Sequence, residues 1–167
     1  MNYGYQNEYD FVELFNNKYL CEVDKNSQNF LKDLFEEIID NDEQIKSWKN
    51  KANQKTDIFN QAINKTKIIV DMTDRFIIRG NNSDYDIDAL ICGRIDDYIW
   101  IKKHDIYDLV LSKRCLDFTS PHIACMTIGP KKRNLDGESK NPKDRYIVCL
   151  RWNFIKEDIN NFKKNQI

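Results

Sequence analysis

Three carboxylates at alternate positions, Asp84, Asp86 and Asp88, lead into a run that continues Ala89-Leu90-Ile91-Cys92-Gly93-Arg94-Ile95-Asp96-Asp97-Tyr98-Ile99-Trp100-Ile101-Lys102-Lys103. Polar and apolar residues alternate on both sides of a Gly-containing turn, the pattern of a two-stranded antiparallel hairpin. Residues two apart on a strand share a face, so the three acids would point the same way and repel unless solvated or bridged by a cation. Mg2+ needs only one or two carboxylates beside its waters. A carboxylate strand next to a lysine-bearing strand is also the geometry of metal-dependent phosphodiester cleavage, where the metal activates a water. On that reading the hairpin's catalytic candidates are Asp86, Asp88 and Lys102, with Asp86 and Asp88 as metal ligands. The plainer reading is a charged outer face whose other side, Tyr85, Ile87 and Ala89, packs inward, as exposed faces of antiparallel sheets usually are.

A second set of residues suits phosphate. Lys131, Lys132 and Arg133, then Lys140, Lys143, Arg145 and Arg151, give residues 131–151 seven basic against three acidic groups. Such a segment can neutralise a nucleic-acid backbone or simply be a solvated loop. Lys131, Lys132, Arg133, Lys143, Arg145 and Arg151 are the nucleic-acid-binding candidates. Cys115, His122 and Cys125 form C-x6-H-x2-C, looser than the paired spacing of structural zinc sites. No Gly-rich phosphate loop is present.

The elements that must hold these groups follow from the apolar periodicity. A chain of 167 residues with 41% hydrophobic and 12% aromatic residues is expected to fold as one domain over residues 1–167. Phe11, Leu14 and Phe15 predict a helix over 8–18. Asn26 and Ser27 offer caps to a second helix through Phe30, Leu31, Leu34, Phe35, Ile38 and Ile39, ending near Asn41. Residues 44–59 are ambiguous: Ile45–Trp48 suits a short strand, and Thr56 a helix cap. One long helix is expected from Asp57 to Arg79, although the β-branched run Ile68-Ile69-Val70 also suits a strand.

The hairpin then spans 85–103. A helix over 105–114, strands over 122–128 and 146–152, a long polar loop over 129–145 and a helix over 155–164 complete the chain. Helices first and antiparallel strands later make the class α+β, a helical N-terminal half packed on a small antiparallel sheet.

The net charge of −1 is unevenly spread. Residues 1–60 carry 7 basic and 12 acidic groups, and residues 131–167 carry 10 and 5. This polarity suits phosphate binding at one end and docking to a basic partner at the other. Five widely spaced cysteines without a C-x-x-C pair fit a reducing compartment. No apolar run approaches the roughly 20 residues of a membrane span, and the N-terminus does not read as a signal peptide, so a cytoplasmic location is expected.

The segment Gln54-Lys55-Thr56-Asp57-Ile58-Phe59, with the sixty residues that contain it, resembles the restriction-endonuclease-like PD-(D/E)XK superfamily. More narrowly it resembles larger proteins in which a helical N-terminus leads through Trp-Lys-Asn and Lys-Thr-Asp-Ile-Phe into the sheet. Asp74-Arg75-Phe76, Gly80-Asn81-Asn82-Ser83, Asp86-Ile87-Asp88-Ala89, Tyr98 to Lys103, Arg133-Asn134 and Arg145-Tyr146 look like the C-terminal part of the same proteins. The resemblance implies that an active site would join Asp57 to Asp86 and Asp88 as metal ligands and to Lys102 as the fourth catalytic residue. It requires an Asp ending one strand, here Asp57, and an acid-x-Lys on the next. The chain departs at that step, since Asn60-Gln61-Ala62-Ile63-Asn64-Lys65 follows Phe59. Trp100-Ile101-Lys102 has the right spacing but Trp where the acid belongs.

The expectation is therefore a shortened, nucleic-acid-directed protein with an incomplete active site and no cofactor. It would act by binding nucleic acid or a nucleic-acid-processing protein, as an inhibitor or accessory factor in host–phage defence conflict. The alternatives are an active Mg2+-dependent endonuclease, and an acidic module that blocks a partner's nucleic-acid channel.

Overall fold

The computed structural model describes residues 8–79, 86–114, 117–132 and 146–166. The α+β class holds: helices dominate, and the described strands form two small antiparallel sheets. One is the hairpin of β1 (Ala89–Arg94) and β2 (Asp97–Lys102); the other has β3 (His122–Ile123), β4 (Met126–Lys132) and β5 (Tyr146–Arg151) in that order. Among the described residues no helix is long and apolar enough to cross a membrane.

The first helix, α1 (Glu8–Lys18), falls where the periodicity placed it and packs on β5. Phe11 and Phe15, one turn apart, bury their rings edge-on to Phe35, at 5.6 and 5.4 Å between centroids. Just past its end, the buried Tyr19 donates its hydroxyl to Asp71, which also accepts from Lys18 Nζ at 2.7 Å. Burial pushes the Asp71 carboxyl up, but the two donors outweigh it and hold the group below the usual carboxylate range. Burial, and then the bond to Asp71, push the Tyr19 phenol up to about 12.

A depressed carboxyl pKa stabilises the fold fully above the unfolded value of about 4, and that stability is lost as pH falls through the folded value. Asp71→Asn is therefore expected to lower the urea midpoint at pH 7 and to flatten its fall between about pH 5 and pH 2. Parallel midpoint curves for the two proteins would remove Asp71 from the acid response.

The second helix, α2 (Lys25–Glu36), begins earlier and ends sooner than the sequence suggests. Asp24, rather than Asn26 or Ser27, is the cap: its carboxylate accepts the Asn26 and Ser27 N–H groups at 3.1 and 3.0 Å. The helix stops short because the Trp48 indole donates at 2.8 Å to the Leu34 carbonyl, which one more turn would have given to Ile38. Ile39 then turns inward while Ile38 stays exposed.

Trp48 lies on a helix, not a strand. In α3 (Asp42–Asn53), Asn41 caps the Gln44 N–H at 2.9 Å, and Gln44 reaches back to the Asp40 N–H. Lys55, not Thr56, stands at the cap of the next helix, and the Thr56 hydroxyl donates to the Asn53 carbonyl at 2.7 Å.

The long helix expected over 57–79 is broken. A short turn, α4 (Thr56–Ile58), widens into a π-helical stretch over Phe59–Ile63 and ends at Asn64. Lys65 is extended, α5 (Thr66–Thr73) starts afresh, and a second π-helical stretch covers Asp74–Arg79. Asn64 causes the break. Fully buried, it accepts the Ala124 N–H at 2.7 Å and donates to the His122 carbonyl at 3.3 Å. The wide π turn also aims Asn60, four residues earlier, at the Phe118 carbonyl, 3.3 Å away. Ile68 and Ile69 remain helical because α5 buries them completely, which overrides their strand preference.

The strand expected over 122–128 is also divided. Ala124 has a φ of 49°, so the chain turns at Ala124–Cys125 and β3 folds back on β4. β4 runs on to Lys132, paired with Tyr146 of β5, so residues 129–132, expected in the polar loop, belong to the strand, and residues 133–145 lie outside the described residues. The last two helices are α6 (Lys103–Ser112) and α7 (Ile155–Lys164), the second as expected and the first shifted back by two residues. The buried Asp158 carboxylate joins them, accepting from Lys113 at 2.8 Å and from the Trp152 indole at 2.7 Å. Both helices pack against β2.

Candidate functional site

The expected catalytic residues occupy separate places. Asp57 lies exposed in the first turn of α4, on a cleft of about 250 Å3 lined also by Val23, Asp24, Ser27, Gln61 and Lys65. Asp86 precedes the hairpin, because β1 begins at Ala89; Tyr85, the expected start of the hairpin, lies outside the described residues. Lys103, and then Arg79 at 3.2 Å, grip the Asp86 carboxylate, and the Lys103 hydrogen bond is the main reason its pKa is lowered.

Arg79 also pairs with Asp74 at 2.9 Å, and Asp74 accepts the Tyr107 hydroxyl at 2.9 Å. Asp86 thus belongs to a charge network that fastens the hairpin's entry to the second π-helical stretch and α6. Asp88 is exposed, and its carbonyl takes the Lys103 N–H at 2.9 Å. The lysine that meets a hairpin carboxylate is Lys103 of α6, whereas Lys102 ends β2 exposed to solvent.

Among the described residues no group of three or more His, Cys, Asp or Glu side chains could hold a metal ion. Asp57, Asp86 and Asp88 are therefore not brought together as a ligand set. Asp84 and Cys115 lie outside the described residues. The His122 ring stacks on Phe118, 4.0 Å between centroids, with Nδ1 2.7 Å from the Ser120 carbonyl. Burial lowers its pKa and raises that of Cys125.

Of the basic candidates, Lys131 and Lys132 end β4, while Arg133, Lys143 and Arg145 lie outside the described residues. Arg151, on β5, is half-buried; a side chain at Gly129 would meet its guanidinium, and its Nε has no hydrogen-bond partner among the described residues. The acidic half is partly committed to structure. Asp24 caps α2, Glu22 pairs with Lys67 at 2.7 Å, and Glu37 pairs with Lys51 at 2.8 Å.

The hairpin's outer face gathers chemistry that charge counting overlooks. Leu90, Cys92 and Ile101 bury one face, with Ile99 packed against the same core. Register puts Ile91 opposite Trp100, and Gly93 opposite Tyr98, on the other face, with Lys102 beside Ala89 at its end. Ile91, Tyr98 and Trp100 are 57, 60 and 42% exposed, and Ile95 in the turn is 99% exposed. From α7, Lys163 reaches back to set its ammonium 4.5 Å from the centre of the Trp100 ring. Lys156 holds the other end of the hairpin through Asp97 at 2.7 Å, which lowers that carboxyl's pKa.

Exposed aromatics on one sheet face, flanked by cations, can stack flat apolar rings and neutralise adjacent anions. The alternation over 98–102 carried this signal, but apolar residues on both phases of the strand hid which phase faces out. Compared with protein-family models, curated proteins and solved structures, the chain matches none.

Proposed function

We propose that this is a nucleic-acid-directed binding protein that works through the outer face of the β1–β2 hairpin, as an inhibitor or accessory factor in host–phage conflict. The observation that carries this reading is the grouping of Tyr98, Trp100 and Lys102 on one exposed face, with Lys163 over the Trp100 ring. Bases offer π faces to the aromatic rings and phosphates offer charge to the lysines. Binding is favoured over cleavage because Asp86 is held by Lys103 and Arg79 and is not grouped with Asp57.

The test is fluorescence anisotropy with labelled DNA and RNA across a salt series, with the same substrates incubated separately with Mg2+ or Mn2+. Expected are binding that weakens steadily as salt rises, and intact substrates. Replacing Lys102 and Lys163 together by Ala should weaken binding and reduce the slope of log affinity against log salt by roughly one unit for each phosphate left without its lysine. No binding to any nucleic acid overturns the proposal. Cleavage abolished by Asp86→Ala or Asp57→Ala overturns it in favour of the Mg2+-dependent endonuclease.

A further inference from the structure

We infer, building on the nucleic-acid reading, that the ligand of this face is a single-stranded segment, two successive bases of which stack on Trp100 and Tyr98. The two side chains stand on one strand two residues apart and on the same face. Strand geometry spaces them about 6.7 Å apart. That is roughly twice the 3.4 Å separating bases along one strand of a stacked duplex. Neighbouring bases reach both rings only when the strand has opened out, and paired bases keep their faces hidden inside the helix.

The register also leaves room. Gly93 lies opposite Tyr98 and has no side chain to cover that ring, while Ile91 opposite Trp100 adds an apolar wall. Charge sets the direction of the path. The acidic turn, Asp96 and Asp97, is next to Tyr98, and Lys102 lies beyond Trp100 at the far end of the face. A phosphate following the base on Trp100 therefore meets Lys102 and the flexible Lys163, whose ammonium moves from ring to phosphate as the base arrives.

The chain provides its own reporter. Of its three tryptophans, Trp48 and Trp152 are buried and Trp100 is exposed, so a base stacking on Trp100 quenches the accessible part of the emission. The experiment compares a labelled oligothymidine, its RNA counterpart and a duplex of equal length, by anisotropy at one salt concentration, with tryptophan emission followed in parallel. Single strands should bind at least about 10-fold more tightly than duplex. Trp100→Ala should weaken single-strand binding about 10- to 100-fold, with little change for duplex. Trp100→Phe should recover most of the affinity but lose the quenching.

Equal affinity for duplex and single strand overturns this inference and leaves the nucleic-acid reading standing. Single-strand binding indifferent to both Trp100→Ala and Tyr98→Ala overturns this inference and moves nucleic-acid binding off the hairpin face. Failure to bind any of the three ligands overturns both. Unchanged far-ultraviolet circular dichroism and urea midpoint in Trp100→Ala exclude unfolding as the cause of weakened binding.

Discussion

Replacing Asn64 by Ala is expected to destabilise the protein by about 3 kcal/mol, because two backbone groups that meet its buried side chain lose their partner at once. The Ala124 N–H and the His122 carbonyl bond to this one fully buried side chain, at 2.7 and 3.3 Å. Each unsatisfied buried group costs about 1–3 kcal/mol. The substitution also frees a turn in which Ala124 holds a positive φ of 49°, a conformation that its own side chain does not favour.

Equilibrium urea unfolding gives the direct measure. Asn64→Asp keeps the acceptor for Ala124 but removes the donor to His122, and buries a charge besides, so it should not rescue the fold. Ala124→Gly should offset part of the Asn64→Ala effect by relieving the left-handed strain. A stability change under about 0.5 kcal/mol, the usual size for an uninvolved surface position, would show that Asn64 does not hold the turn.

Gly93→Ala is expected to cost a similar amount, felt first within the hairpin. Gly93 has a φ of +127°, and a Cβ built there would lie 2.1 Å from the Asp97 carbonyl oxygen and 2.8 Å from the Tyr98 Cα. No side-chain rotation relieves a clash with backbone, so the strands must part beside the turn. Backbone strain of this kind costs about 1–3 kcal/mol before any clash is counted.

Because the two-stranded sheet can open locally, the clearest readout is amide hydrogen exchange along β1 and β2. About 3 kcal/mol corresponds to exchange faster by roughly 100-fold there, with smaller changes in α1 and α5. Arg94→Ala, next along the strand, should change it little. Equal exchange in Gly93→Ala and the unaltered protein would contradict the backbone geometry at this turn. If the stacking face is used as proposed, Gly93→Ala should also weaken single-strand binding without any change to the side chains that meet the bases.

The amphipathic helices were the most legible part of the sequence. Phe11 and Phe15 recur at one-turn spacing, and α1 keeps the bounds that this spacing implies; α7 also keeps its expected bounds and buries Ile155 and Ile159. The hairpin was legible too, since alternation around a Gly-containing turn is a local signal, although its first strand starts at Ala89 because Asp86 is drawn aside by Lys103 and Arg79. Two helix ends moved because a side chain from a distant element competed with the backbone for a hydrogen bond or left its helix to make one. Trp48 takes the Leu34 carbonyl and ends α2, and Asn64 leaves its helix to bind the turn at His122–Ala124.

The candidate site divides in the same way. Residue order alone determined that Tyr98, Trp100 and Lys102 share one face of a strand, because the side-chain period of a strand is two and needs no tertiary information. Which face turns outward was decided only in the folded protein, where burial of Leu90, Cys92 and Ile101 selects the phase. Tertiary structure likewise brings Lys163 to Trp100 from 63 residues away and spends Asp86 on an ion-pair network. Such interactions join residues far apart in the chain, and neither composition nor periodicity records which distant groups the packing of the core will bring together.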